Sequence, residues 1–172
     1  MITLKEISHS TGYSISTISK ALNGKNDISE AAKKRISDFA LKNDYVPNKN
    51  AIALRRNKSY IIAIILPQVN DSFYSEALSN IQKMASTQGY RIILFQSFEE
   101  ETKERACLDE VKDGSVDGVM ILSPNEGENI GNKFRELYSI PLEFMQIEEK
   151  QPINVLKENY ISNFENLLKQ MK

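Results

Sequence analysis

The spacing of apolar and polar positions divides the chain into three unlike stretches. Over residues 1–45, apolar side chains recur at helical intervals and no strand-like run occurs. Thr3 precedes the first apolar stripe and Glu6 follows it by three, the spacing of a capping box, so a helix starts there and buries Ile7. Gly12, free to take the left-handed conformation, ends it. Ser14 caps a second helix in which Ile18, Ala21 and Leu22 face inward. Ile15, Ser16, Ser19 and Lys20 then lie on or near its outer face. Asn23-Gly24 closes that helix, and a third begins at Ser29 with Ala32, Ile36, Phe39 and Ala40 on one stripe. Two helices joined by a tight glycine turn and braced by a third form a helix-turn-helix. The same pattern also describes a small three-helix bundle without a ligand.

Residues 46–59 are a polar, basic connector introduced by Val46-Pro47-Asn48. From Tyr60 onward, apolar runs alternate with amphipathic segments, which predicts βαβ units around a parallel sheet. Tyr60–Pro67 is a continuous apolar run, the pattern of a strand covered on both faces. A helix carrying Ala77, Leu78, Ile81, Met84 and Ala85 follows, then a strand over Arg91–Phe95. Residues 101–112 give a helix with Ala106, Leu108 and Val111 inward. Gly118–Leu122 is a third strand, Phe134–Leu137 belongs to a third helix, and Leu142–Ile147 is a fourth strand. Such alternation builds a doubly wound sheet with ligands at the carboxyl ends of its strands. The last stretch, Ile153 to Lys172, reads as a crossover and an opening helix whose Phe164, Leu167, Leu168 and Met171 have nothing to cover them.

Charge sharpens this division. The whole chain of 172 residues carries a net −1, but residues 1–59 hold 11 basic against 5 acidic side chains, a net +6. The remainder holds 11 against 18, a net −7. A basic head on an acidic body suggests that the head meets a polyanion. No run reaches the roughly 18 apolar residues of a membrane span, and neither a signal peptide nor a lipidation motif is visible. One cysteine and one histidine leave no disulfide framework and no zinc set.

The chemistry of the second helix fits a polyanion. A recognition helix needs a small, polar N-terminal face to enter the major groove, and Ser14-Ile15-Ser16-Thr17 supplies one. Lys20, one turn on, can donate to guanine O6 and N7. The hydroxyls of Thr3, Ser14, Thr17 and Ser29 stand at helix starts, where they can cap, grip phosphate oxygens, or both. Lys33, Lys34 and Arg35 read as a solvated basic face. Elsewhere the reading is bland. Glu99-Glu100-Glu101 complements a helix dipole, His9 lies outward without a partner, and Cys107 is a small core residue. No nucleophile-base-orienter set and no phosphate-cradling glycine loop occurs, so neither an enzyme nor a cofactor or metal is expected.

These residues carry a resemblance. Thr3–Ile7, Gly12–Gly24 and the stretch Asp44-Tyr45-Val46-Pro47-Asn48 with Ala51, Ala53 and Leu54 resemble the head and hinge of the lactose-repressor (LacI) family, in family order and spacing. The resemblance implies that Ile15, Ser16 and Lys20 read bases. Lys20 replaces the commoner arginine and lacks its planar fork. It further implies that Ser14, Thr17, Asn23, Ser29 and Asn48 contact phosphate or sugar, and that Ala51 and Leu54 belong to a hinge whose leucine wedges into the minor groove. The hinge, about nine residues from Asn48 to Arg56, is too short for a stable isolated helix and is expected to become helical only on DNA.

The body is similar to the first lobe of that family's sugar-binding-protein-like effector domain, through Val69–Tyr74 and Val116-Asp117-Gly118. By position, Phe73 and Tyr74 would stack on a sugar or nucleobase effector, or else pack between loop and helix. The resemblance stops after one lobe, so a weak or absent effector response is expected. The implied organisation is a helix-turn-helix head (1–45), a hinge (46–59), a first effector-binding and dimerisation lobe (60–152), and a crossover with an orphan helix (153–172). The implied activity is a DNA-binding regulator, most simply a repressor, acting as a homodimer on a pseudo-palindromic double-stranded operator in the bacterial cytoplasm, at the nucleoid. The alternatives are a small-molecule-binding module with a vestigial head and a truncated product without regulatory activity of its own.

Overall fold

A computed structural model of the chain describes residues 2–48, 51–53, 58–125, 128–148 and 151–171. It separates into two compact units, Met1–Ile52 and Ala53–Lys172.

The first unit is helical: α1 (Leu4–Thr11), α2 (Ile15–Leu22) and α3 (Glu30–Lys42). Each helix starts at a side-chain cap. Thr3 and Glu6 form a reciprocal box, Ser14 accepts from the Thr17 N–H, and Ser29 accepts from the Ala32 N–H. Gly12, at φ 77°, ends α1 in the left-handed region that a Cβ disfavours. Ile7, Ile18, Ala21, Ile36 and Ala40 meet in one small core, with Leu22, Phe39 and Tyr45 packed partly against it.

The second unit is a four-stranded parallel sheet in the order β2-β1-β3-β4, formed by β1 (Ile61–Leu66), β2 (Arg91–Gln96), β3 (Gly118–Ser123) and β4 (Leu142–Gln146). Between the strands run α4 (Ser72–Thr87), α5 (Glu101–Val111) and α6 (Glu128–Leu137), and α7 (Ile153–Gln170) follows β4. Alternate residues of β1 serve opposite layers. Ile62, Ile64 and Leu66 pack with α4 and α7, whereas Ala63 and Ile65 pack with Leu108 and Val111 of α5 and Phe134 of α6. This two-sided burial explains the unbroken apolar run of β1.

Two expectations are corrected. The terminal helix is not bare. Phe164 and Leu167 are fully buried, Leu156, Tyr160 and Met171 nearly so, and all five belong to the core of the α4 face. A second helix is needed there because α4 alone cannot cover four strands. The closeness shows at Gly118, where an added Cβ would lie 2.5 Å from Met171 Sδ and 3.1 Å from Leu167 Cδ1. In α5 the inner stripe is Glu104, Leu108 and Val111; Ala106 faces solvent. A glutamate holds an inward position because polar partners across the sheet end receive it, as described below.

Candidate nucleic-acid interface

The outer face of α2 is built by its first turn. The Ser14 hydroxyl accepts from the Thr17 N–H at 3.1 Å and lies 2.8 Å from both the Ser16 and Thr17 hydroxyls. Three hydroxyls are thus clustered at a helix N-terminus, where donors and the helix dipole favour an anionic oxygen. Ile15 projects outward with 45% of its surface exposed, in contrast to Ile18, which is fully buried four residues after Ser14. Ser16 and Lys20 are exposed beside it. The base-reading set expected from the sequence therefore lies on one accessible face, anchored from behind by Ile18 and Ala21.

Lys20 has a partner that the sequence did not suggest. Its ammonium donates to Asp27 Oδ2 at 2.5 Å, and both side chains are about half exposed. That contact holds the Asp27 carboxyl below the ordinary aspartate range. The two residues are seven apart and meet because the turn after α2 folds back. Asn23 caps α2 by donating from Nδ2 to the Ser19 carbonyl at 2.6 Å, Gly24 takes φ 67°, and the Lys25 N–H reaches the Lys20 carbonyl at 3.0 Å.

The other residues expected to contact the DNA backbone stand at the starts of α1 and α3 and in the hinge. Thr3 is committed to its box: its N–H and hydroxyl donate to Glu6 Oε2 at 2.7 and 2.8 Å, which holds the Glu6 carboxyl below its usual value. Ser29 accepts from the Ala32 N–H at 3.4 Å, a long cap. Lys33 pairs with Glu30, and the Arg35 guanidinium lies 5.9 Å from the Tyr13 ring centroid. In the hinge, Asn48 Oδ1 accepts from the Ala51 N–H at 3.1 Å, and residues 51–53 are helical with Ala51 exposed. Leu54, the expected minor-groove wedge, lies outside the described residues.

The exit of the hinge is fastened to the second unit. Asp117 accepts from the Ser59 N–H at 2.6 Å, the Ser59 hydroxyl at 2.8 Å and the Tyr60 N–H at 3.0 Å. Those bonds hold Tyr60 at φ 56°, a left-handed conformation that a tyrosine otherwise avoids. Lys58 Nζ donates to the Met171 carbonyl at 2.9 Å, at the end of α7. Asp117 was visible in the sequence only as part of a family-like tripeptide; its partners are 57 and 58 residues away.

At the carboxyl ends of the strands, the two aromatic candidates have different surroundings. Tyr74 is 9% exposed, and burial, with nearby Asp71, Glu99 and Glu104, pushes its phenol up to about 12. Phe73 is half-buried, edge-on to Tyr74 at 5.3 Å and to Tyr160 of α7 at 6.2 Å between centroids. Nearby, the fully buried Glu104 accepts from the Ser123 hydroxyl and from Asn125 Nδ2, while the Asn125 N–H donates to Ser123 Oγ at 3.0 Å. Among the described residues no group of histidines, cysteines or carboxylates could hold a metal ion, and no helix is long and apolar enough to cross a membrane.

Known proteins resemble the chain in two stretches. Residues 3–48 match the family model described as bacterial regulatory proteins, lacI family. Residues 59–155 match the model described as periplasmic binding proteins and sugar binding domain of LacI family. The HTH-type transcriptional regulator RegA of Clostridium acetobutylicum is 27% identical over 160 residues, covering 93% of this chain and 48% of the relative. The ribose operon repressor of Halalkalibacterium halodurans is 30% identical over 121 residues, 70% of this chain and 37% of the relative. The lac repressor dimer, solved bound to operator and the anti-inducer ONPF, superposes with a TM-score of 0.76 at 17% identity, over 88% of this chain and 46% of that one. The chain thus spans about half the length, or less, of the relatives it matches.

Proposed function

Because the chain belongs to the LacI family of bacterial regulatory proteins, we propose that its first unit is the operator-reading head of a transcriptional repressor. It acts as a homodimer on a pseudo-palindromic duplex, in the cytoplasm at the nucleoid. The observation that carries the reading is the outer face of α2, where Ile15, Ser16 and Lys20 stand exposed on a helix fixed from behind by Ile18 and Ala21.

The division of labour follows from chemistry. Hydroxyls at the starts of α2 and α3, and backbone N–H groups of the first turns of all three helices, donate to phosphate oxygens and set register, without reading sequence. Ile15 and Ser16 reach base edges from the first turn of α2, and Lys20 donates to guanine from the next. Ala51 and Leu54 enter the minor groove from the hinge. The net +6 of residues 1–59 supplies attraction, and the net −7 of the remainder keeps the lobe off the duplex. The burial of Tyr74 and the packing of Phe73 on Tyr160 support a core role for these rings, so effector response from them is weak. Catalysis has no place in this reading.

The test is selection of the whole chain on a pool of random duplexes, followed by salt titration on the winner and a scrambled control. Two half-sites about one helical turn apart should emerge, with log affinity falling against log salt at a slope near −5 to −10. Equal binding to the selected and scrambled duplexes would overturn the proposal.

A further inference from the structure

We propose that Asp27 is a specificity-determining residue, which with Lys20 forms a donor-acceptor pair matched to the major-groove edge of a single G·C base pair. This inference rests on the operator-reading role given to α2.

The ammonium of Lys20 and the carboxylate of Asp27 are 2.5 Å apart on the accessible side of the head. A half-exposed pair of this kind adds little to folding stability, so stability does not account for placing an acid there. In a head whose other work is to attract phosphates, a carboxylate beside the reading cation also weakens binding to arbitrary DNA. Two other acids of the head have local duties, Glu6 in the cap of α1 and Glu30 in a pair with Lys33 at the start of α3. Among the described acids of the head, Asp27 is the one paired with a residue of the expected reading set.

The base edges explain what such a pair can select. Lysine alone is a flexible point charge that can donate to guanine O6 or N7 but also to adenine N7 or thymine O4. The G·C edge runs acceptor, acceptor, donor across guanine N7, guanine O6 and cytosine N4. An ammonium on O6 leaves the adjoining carboxylate facing the cytosine amino group, and no further acceptor follows. On A·T and T·A edges the amino group lies between two acceptors, so a carboxylate reaching it also meets an oxygen or ring nitrogen that repels it. On C·G the order of donor and acceptor is reversed. The pair thus discriminates by penalty as well as by attraction, which is how a specificity device differs from an affinity device.

The experiment compares the full chain with Asp27→Ala and Lys20→Ala in selections on random duplex pools and in direct titration of the selected and non-selected duplexes. Circular dichroism of each full chain keeps folding in view. In the wild type, one G·C pair should be fixed in each half-site. Asp27→Ala should bind random duplex more tightly while its preference at that one position falls by about fivefold or more, the equivalent of ~1 kcal/mol. Lys20→Ala should lose preference at the same position. A preference unchanged in Asp27→Ala, or altered at a different position from that of Lys20→Ala, overturns the pairing and leaves the operator reading intact. A wild type without any sequence preference overturns both.

Discussion

Replacing Phe164 by alanine gives a direct measure of what α7 does. Its ring is fully buried in the layer shared by α4, β1 and β3, with Tyr160, Leu167 and Met171 along the same helix face. Removing a buried phenylalanine typically costs about 3–5 kcal/mol, the lost transfer energy plus the cavity left behind. A lobe of this size has a total stability on the order of 5–15 kcal/mol, so the loss is a large fraction of it. At roughly 4 °C per kcal/mol, its melting temperature should fall by about 12–20 °C. Ile161 on the same helix is 37% exposed, and Ile161→Ala should cost well under half as much. Scanning calorimetry suits the measurement because the two compact units can melt separately, and only the lobe transition should move. If Phe164→Ala and Ile161→Ala shift the lobe equally, α7 does not rest on the sheet and the packing argument fails.

Two further outcomes concern pH. The Glu6 carboxyl is held below its ordinary value of 4.5 by the Thr3 N–H and then by the Thr3 hydroxyl. Its contribution to the head is therefore complete above pH 4.5 and disappears as pH falls through the lowered folded value. Acid melts of the Glu6→Gln head should be flatter across that window; a profile parallel to the wild type refutes the box as an electrostatic device. Tyr74 titrates in the opposite sense. Its folded value, pushed from 10.0 to about 12 chiefly by burial, favours the neutral phenol, so its stabilisation is present below pH 10 and is lost as pH rises toward 12. The difference between wild type and Tyr74→Phe, followed by circular dichroism, should open only above pH 10.

The head was legible because its signals are local. Thr3, Ser14 and Ser29 cap within three residues, and Gly12 ends a helix by its own backbone freedom. The strands were legible for the same reason, since a run such as Ile61–Leu66 declares burial on both faces. What the sequence concealed depends on partners far along the chain. Glu104 reads as a surface residue until Ser123 and Asn125 arrive 19 and 21 residues later. The stripe of α7 was plain, but the sheet face that receives it was not. Lys20 was visible as a base-reading candidate, whereas Asp27 became its partner only through the turn made by Asn23 and Gly24.

The connector is fastened at both of its ends. Tyr45 is held to the head by its N–H bond to the Ala40 carbonyl, and Ser59 is pinned by Asp117. The intervening residues, at 3.3–3.6 Å each, cannot bridge more than about 45–50 Å. If the chain acts as the proposed homodimer, each head is tied to its own lobe by such a span, so a head seated on one half-site keeps its twin near the second. Confinement on this scale corresponds to millimolar local concentrations, and it can raise affinity for a paired site over a single one by about 10²–10⁴ without any new contact. Lengthening the connector with glycine and serine would dilute the second head while leaving every residue of the reading face in place.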